Sequence, residues 1–570
     1  MERVAAVRGG IRLWSGQLAI YDELAGGPMA VDPGEAVVTP ADPPMSLDAE
    51  ALLSGRVDTA PELVIALVAS LGTEVQPIVD DFRAALQAVK YRMEFVRVSD
   101  LIDELVSPKT DSRAPTHAEQ LMDEGDLLRS AVDHGGAACS LALAKIRRQR
   151  ADETGDPQKE RSSVATLIQS LKHPEEVRLL RTVYGPRLLV VGVSASLEQR
   201  KHALEKRLRD EHAGHPPEWY AGEATKLLIR DERDSTKRLG QRVRDAFSQA
   251  DAFLWIQPGK AASAEVHRIV ELLFGKPFET PSREEQGMYF AFAAQLRSAA
   301  SGRQVGAALV DSDAELLATG TNDVPKPGGG QYWTGDSPDH RDYRTGGEAN
   351  DHHKYLVVQD AIQRLDSAGW LAPELATTNP GALAARALGA GGPLEESRVG
   401  DLIEFGRIAH AEMAAISTAA RRGTPIRGAT LFVTTFPCHE CARLIIAAGI
   451  GRVVYIDPYP KSQVFDLYGD QVSTSAGPGV VDRVPFVPFH GISPRLYPHV
   501  FSMGARHRDA TGKFNTWVPS PRLTTDPGAV YSMIGFEAAV ADEMRGRLAA
   551  AGWGPSSSAS NTSSTDVSDG

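Results

Sequence analysis

Cysteine is scarce. The 570 residues contain three, Cys139, Cys438 and Cys441, which excludes a disulfide scaffold and favours a reducing, cytoplasmic home. Long apolar runs are also missing. Leu63–Leu71 and Leu188–Val193 are the longest, far short of the roughly 20 residues a membrane helix needs, so no membrane role is expected. The opening MERVAAVRGGIRLWSGQ breaks each apolar stretch with charge or glycine, unlike the apolar centre of an export signal. Nor is there an excess of positive charge. Acids outnumber bases by 74 to 61, a formal charge of -13, which argues against a protein that coats nucleic acid. An anionic ligand would have to be held by local arginines and lysines.

What is present is an ordinary globular composition, 42% hydrophobic and 24% charged. At roughly 150 residues per domain the length allows up to four domains, and two large ones with tails fit as well. Residues 1–60, proline-rich toward their end, read as a flexible leader, and the Ser/Thr/Gly/Asn run at 554–570 reads as a disordered tail. Two domains are expected between them, over 61–276 and 277–553.

The first opens with the apolar run Leu63–Val68, a glycine turn at Gly72–Thr73, and a helical period through Val75, Ile78, Val79, Phe82, Leu86 and Val89. Further strands are expected at 95–98, 187–193, 226–229 and 252–256. This alternation predicts an α/β domain with a mostly parallel sheet. The charged stretch 147–161, RRQRADETGDPQKER, reads as a solvated loop or helix end. Pro277 and Pro281 bracket a linker, and Ser282–Glu285 forms an S-x-x-E capping box at the start of a helix. After it come a hairpin at 305–319, helices at 410–420 and 438–448, and strands at 430–436 and 452–456.

The chemistry concentrates in His410-Ala-Glu412 and Pro437-Cys438-His-Glu-Cys441. Imidazole and thiolate suit tetrahedral zinc, and three protein ligands, His410, Cys438 and Cys441, leave a fourth position for water as a catalytic site requires. Each group follows a turn and opens a helix, so two positive helix ends would favour the thiolates. Glu412 is left to carry a proton. The competing reading is a structural zinc knuckle or an unligated cysteine pair, but a knuckle needs a fourth protein ligand and gives Glu412 no role. His439 is read as packing or outer support, and His340, His352 and His353 as surface histidines.

The pattern H-x-E…P-C-x-x-C is the signature of zinc nucleobase deaminases. The stretch 288–330, with AAQLRS at 293–298, RQVGA at 303–307 and ATGTNDVP at 318–325, resembles the start of a deoxycytidylate deaminase domain. GGGQYW at 328–333, DHRD at 339–342, TFPCHEC at 435–441 and YPKS at 459–462 resemble the bacterial anti-phage dCTP/dCMP deaminases. Those proteins join a P-loop kinase-like domain to the deaminase, and LKHPEE at 171–176, LLIRDE at 227–232 and GQRVRD at 240–245 are similar to theirs.

The resemblance implies a kinase-like parallel-sheet domain followed by a cytidine-deaminase-like three-layer α/β/α domain. It also implies zinc-dependent deamination of dCTP, dCMP or both, which depletes dCTP during phage defence. Asn322 is the sugar-contacting residue it implies, with a turn-capping Asn as the alternative; Arg303 and Lys461 are candidates for phosphate or sugar. The turn at Gly72 and Thr73 lacks the lysine of a working phosphate loop and has Glu74 beside it, so weak nucleotide binding without hydrolysis is expected there. A homo-oligomer, and an RNA or nucleotide effector that restrains activity, are further expectations. The alternatives are a housekeeping dCMP deaminase that supplies dUMP, and a regulatory nucleotide-sensing protein acting through its N-terminal domain.

Overall fold

The computed structural model describes residues 60–105, 116–234, 236–257, 262–395, 397–400, 402–457, 462–474, 482–503, 508, 511–514, 516–521 and 533–551. The expected leader up to 59, the tail at 554–570, and Lys461 lie outside the described residues.

The all-apolar run Leu63–Ala69 is strand β1, buried along nearly its whole length, as a central parallel strand covered on both faces must be. The chain continues through α1 (Gln76–Ala88), β2 (Arg92–Arg97), α2 (Val98–Leu105), α3 (His117–Ala131), α4 (Ala137–Thr154), β3 (Val164–Gln169), α5 (Pro174–Tyr184), β4 (Leu188–Ala195), α6 (Leu197–Glu211), α7 (Pro217–Glu232), α8 (Val243–Phe247), β5 (Ala252–Ile256) and α9 (Ser263–Leu273). The strands β2-β3-β1-β4-β5 lie side by side and all parallel.

Two expectations for this region are corrected. Residues 226–229 form no strand but the last turns of α7, because Tyr220, Ala224, Leu227, Leu228 and Asp231 bury one helical face and Pro217 starts the first turn. The charged stretch 147–161 does hold a helix end, at Thr154, but two of its arginines are buried rather than solvated. Arg150 is fully buried and pairs with Glu62 at 2.6 Å and Glu537 at 3.0 Å, while buried Arg161 pairs with Glu62 and Glu94.

The second sheet is built after α10 (Arg283–Gln295), whose capping box is formed: Ser282 Oγ accepts from the Glu285 N–H, and the Glu285 carboxylate accepts from the Ser282 N–H. Then come β6 (Gly306–Val310), β7 (Leu316–Thr321), α11 (Ala349–Ser367), α12 (Pro380–Leu388), α13 (Ala411–Arg422), β8 (Thr430–Thr435), α14 (His439–Ala447), β9 (Arg452–Asp457), β10 (Val472–Ser473) and β11 (Val484–Pro488). The order is β7-β6-β8-β9-β11-β10, antiparallel at β6 and parallel from β8 onward. Alternating residues face opposite sides. Ala308, Val310 and Phe432 pack toward Met288 and Ala291 of α10, whereas Ala307, Leu309, Leu431 and Val433 pack toward Ala411 and Ala415 of α13 and Cys441 of α14.

The chain then returns to the first sheet. Strand β12 (Gly491–Ile492) pairs antiparallel with β5, and α15 (Met533–Ala550) lies on α4 and α5 with Glu537 buried against Arg150. Glu285 ties the two sheets together, taking Arg268 of α9 at 2.8 Å and the Ile492 N–H at 2.8 Å.

Candidate metal centre

His410 and Cys438 each occupy the N-cap position of a helix, α13 and α14, with extended backbone before the first turn. The segment ahead of His410 is held by paired backbone bonds, Asp323 N–H to Ala409 O and Ala409 N–H to Asp323 O. Gly320 permits the close approach of β7 to α13, since a Cβ there would collide with the Ala411 carbonyl oxygen and the Ala415 nitrogen. Cys441 follows in the first turn of α14, fully buried.

The result is a tight donor set. His410 Nδ1 lies 3.2 Å from Cys438 Sγ and 3.4 Å from Cys441 Sγ. Ordinary Zn–S and Zn–N bond lengths at tetrahedral angles put sulfur and nitrogen about 3.6 Å apart, so the three residues fit a zinc ion with shifts of a few tenths of an ångström. Among the described residues they form the one such group of His, Cys, Asp or Glu. His439 is outside it, with Nε2 3.9 Å from Glu404.

The electrostatics favour a cation. Hydrogen bonding from Cys441, and then from His410, pulls the Cys438 thiol down to about 4. The hydrogen bond to Cys438 raises His410 to about 9. Burial pushes the Cys441 thiol up. A metal displaces these protons, which is why such sites bind metal more tightly as pH rises. Glu412, 4% exposed and also in the first turn of α13, is pushed up to about 7 by burial, the range in which a carboxyl can both give and take a proton near neutrality.

The other candidate residues are placed as follows. The Asn322 side chain is engaged with the chain itself: Oδ1 accepts from the Val305 N–H at 2.6 Å and Nδ2 donates to the Arg303 carbonyl at 2.7 Å. Arg303 is half exposed, with Nη1 3.7 Å from Asp457. Gly72 has a left-handed φ of 80°, and a Cβ there would strike the Arg200 carbonyl. The turn already carries an internal anion. Asp231, fully buried, accepts from the Leu71 N–H at 2.7 Å and from Lys172 Nζ at 2.8 Å. These two donors therefore face a carboxylate of the chain where the sequence suggests phosphate.

Sequence reasoning missed the cavity beside Asn322. It measures about 430 Å³ and is lined by Ser301, Asp323, Asp342, Glu348, Asp351 and Ile408, among others. Its acids are scattered between Asp323 and Asp351, so no local pattern announces them.

Residues 281–457 match the family described as the cytidine and deoxycytidylate deaminase zinc-binding region. The matched segment contains His410, Glu412, Cys438 and Cys441. The chain is 48% identical over 54 residues to the deoxycytidylate deaminase of Enterobacteria phage T2, covering 10% of this chain and 29% of that protein. It is 39% identical over 70 residues to the deoxycytidylate deaminase of Pongo abelii, 11% of this chain and 38% of that protein. The chain thus spans about three tenths of the length of the first of these relatives. A crystal structure of the cyanophage S-TIM5 dCMP deaminase covers 37% of this chain and all of that one at 18% identity, with a TM-score of 0.20. Among the described residues no helix is long and apolar enough to cross a membrane.

Proposed function

We propose that this protein hydrolyses the exocyclic amine of deoxycytidine nucleotides, converting dCTP, dCMP or both to the uracil nucleotide and ammonia. The observation that carries the reading is the His410, Cys438 and Cys441 donor set with buried Glu412 in the first turn of the same helix as His410. Zinc held by the three donors supplies an activated water at neutral pH. The remaining steps fall to the chain. Glu412 protonates N3 of the cytosine ring as water oxygen bonds to C4, and it then passes the water's proton to the amine as the C4–N bond breaks. Cytosine and water become uracil and ammonia. Asn322 and Arg303 would contact sugar and phosphate, with Lys461 as a further phosphate contact. In the cell, removal of dCTP would starve phage DNA synthesis.

The relatives named deoxycytidylate deaminase favour dCMP as the second reading. Ammonia release from dCMP, dCTP, CTP and RNA by the purified full chain separates the readings. Release from either nucleotide supports the deaminase reading, release from dCTP supports depletion of that pool, release confined to dCMP supports the dUMP-supplying reading, and release from RNA alone contradicts both.

A further inference from the structure

Two of the three metal donors are fixed by the core. Cys438 and Cys441 are buried in the apolar cluster with Leu431, Val433 and Val453. His410 is only part-buried, and it follows a stretch, 402–409, that forms no helix or strand and is exposed at 404–407. Its one backbone bridge is that of Ala409 to Asp323. Ile408, two residues ahead of the ligand, lines the cavity of about 430 Å³. That side of the stretch therefore meets open space rather than core.

Polar contacts from one short segment hold it instead. Asp339-His340-Arg341-Asp342 has no part in the proposed chemistry, yet it reaches the approach to His410 at two points. Arg407, three residues before the ligand, donates from Nη1 to the Asp342 carboxylate at 3.0 Å and from Nη2 to the His340 carbonyl at 2.9 Å. Arg341, between those two partners in sequence, addresses Asp323. Its Nε and Nη2 form a fork on the Asp339 carboxylate at 3.0 and 2.8 Å, and Asp339 also accepts from the Tyr343 hydroxyl at 3.0 Å. The fork leaves Nη1 at 3.8 Å from Asp323 Oδ2. Asp323 is 2% exposed, and its N–H and carbonyl bracket Ala409, the residue joined to His410. Charge-assisted bonds and forks are the strong, directional ones. Partners outside the donor set are what orient a ligand histidine.

We propose that residues 339–342 form a clamp that positions His410, with Arg341 acting through Asp323 and Asp342 acting through Arg407. This rests on the reading of His410, Cys438 and Cys441 as a zinc site. The clamp residues are positioning residues and touch neither metal nor substrate. They fix the path of the chain into α13, and with it the direction from which the imidazole meets the two thiolates. Zinc then meets a donor set already in place.

The test uses the full chain with Arg407→Met and Arg341→Met, each paired with its lysine variant. Arg364→Met is the control, since it breaks an exposed ion pair of α11 outside the clamp. Zinc affinity is measured by competition with a chromogenic chelator, ligand geometry by the visible absorption of the cobalt-loaded protein, and stability by urea unfolding of the metal-free protein. Both methionine variants should bind zinc about 10- to 100-fold more weakly, the usual loss with an outer partner. The lysine variants should recover part of this, and Arg364→Met should lose none. The cobalt bands should shift in the methionine variants. The metal-free urea midpoint of Arg407→Met should stay near the wild-type value, because Arg407 is 40% exposed. A zinc affinity equal to that of the wild type in folded Arg407→Met or Arg341→Met overturns the clamp. So does weakened affinity with unchanged cobalt bands, which would mark general destabilisation. Should Arg341→Met not fold, Arg407→Met and Arg341→Lys decide by the same two criteria. A wild type that binds no zinc overturns the clamp and the metal site together. A wild type that binds zinc but deaminates neither nucleotide sinks the deaminase reading alone, and the zinc and cobalt results still decide the clamp.

Discussion

Cys438 Sγ stands 3.2 Å from His410 Nδ1, across 28 positions of sequence, because each residue caps the N-terminus of its own helix. Two helix ends therefore converge on the donors, and each end contributes a partial positive charge that favours thiolate. Removing either sulfur leaves two ligands. Cys438→Ala and Cys441→Ala should each lose zinc and deamination together. Their loss in affinity should exceed the roughly 10- to 100-fold typical of losing an outer-shell partner. Metal analysis after dialysis checks this, and full zinc occupancy in either variant would contradict the ligand set.

Gly320 sits under the first turn of α13, where a methyl group would meet backbone atoms of Ala411 and Ala415. Gly320→Ala should cost about 1–3 kcal/mol of stability, as overpacking does, and should weaken zinc retention by displacing His410. Denaturant unfolding alongside zinc titration reads both. A variant with wild-type stability and wild-type zinc affinity would show that strand and helix are not pressed together as described.

These residues were legible to different degrees. The zinc donors and Glu412 stand in two short motifs, each opening a helix, so local spacing alone announced them. The run Leu227–Ile229 reads as a strand because three apolar residues carry no period, and only Ala224 and Tyr220, one and two turns earlier, reveal the helical face. Strand β3 also goes unread, although VATLIQ is the apolar run of a buried strand. Asp231 beneath Leu71 and Glu537 beside Arg150 join positions 160 and 387 apart, pairings that only the tertiary fold creates.

The second of those pairings is a stability test. Arg150 and Glu537 are both fully buried, and breaking a buried pair by deleting one partner costs about 3–5 kcal/mol. Glu537→Ala should therefore destabilise strongly. Glu543→Ala on the same helix, whose carboxylate pairs with half-exposed Arg547, should cost less than about 1 kcal/mol. Equal unfolding midpoints for the two variants would contradict the docking of α15.

His173 supplies a pH test. It is 2% exposed and caps α5, with Nδ1 accepting from the Glu175 N–H at 3.2 Å. Burial, and then the nearby Arg129 charge, hold the imidazole down to about 4. A histidine depressed in the folded state takes up its proton more readily once unfolded. Stability should thus fall as pH drops from the unfolded value near 6.5 toward about 4, and His173 should contribute no slope above that range. His173→Asn retains a capping side chain without the titration. Its urea midpoint should fall less between pH 7 and pH 5 than that of the wild type, and an identical fall would remove His173 from this role.

The central claim is that Glu412 moves the proton while His410, Cys438 and Cys441 hold the metal. Its most direct test is zinc content and ammonia release from dCTP and dCMP, measured on the same preparations of wild type and Glu412→Gln. The account predicts equal zinc in both and a turnover about 10²- to 10⁴-fold lower in the variant, the usual loss on removing a general acid–base. Substantial turnover by Glu412→Gln, or loss of its zinc, would contradict it.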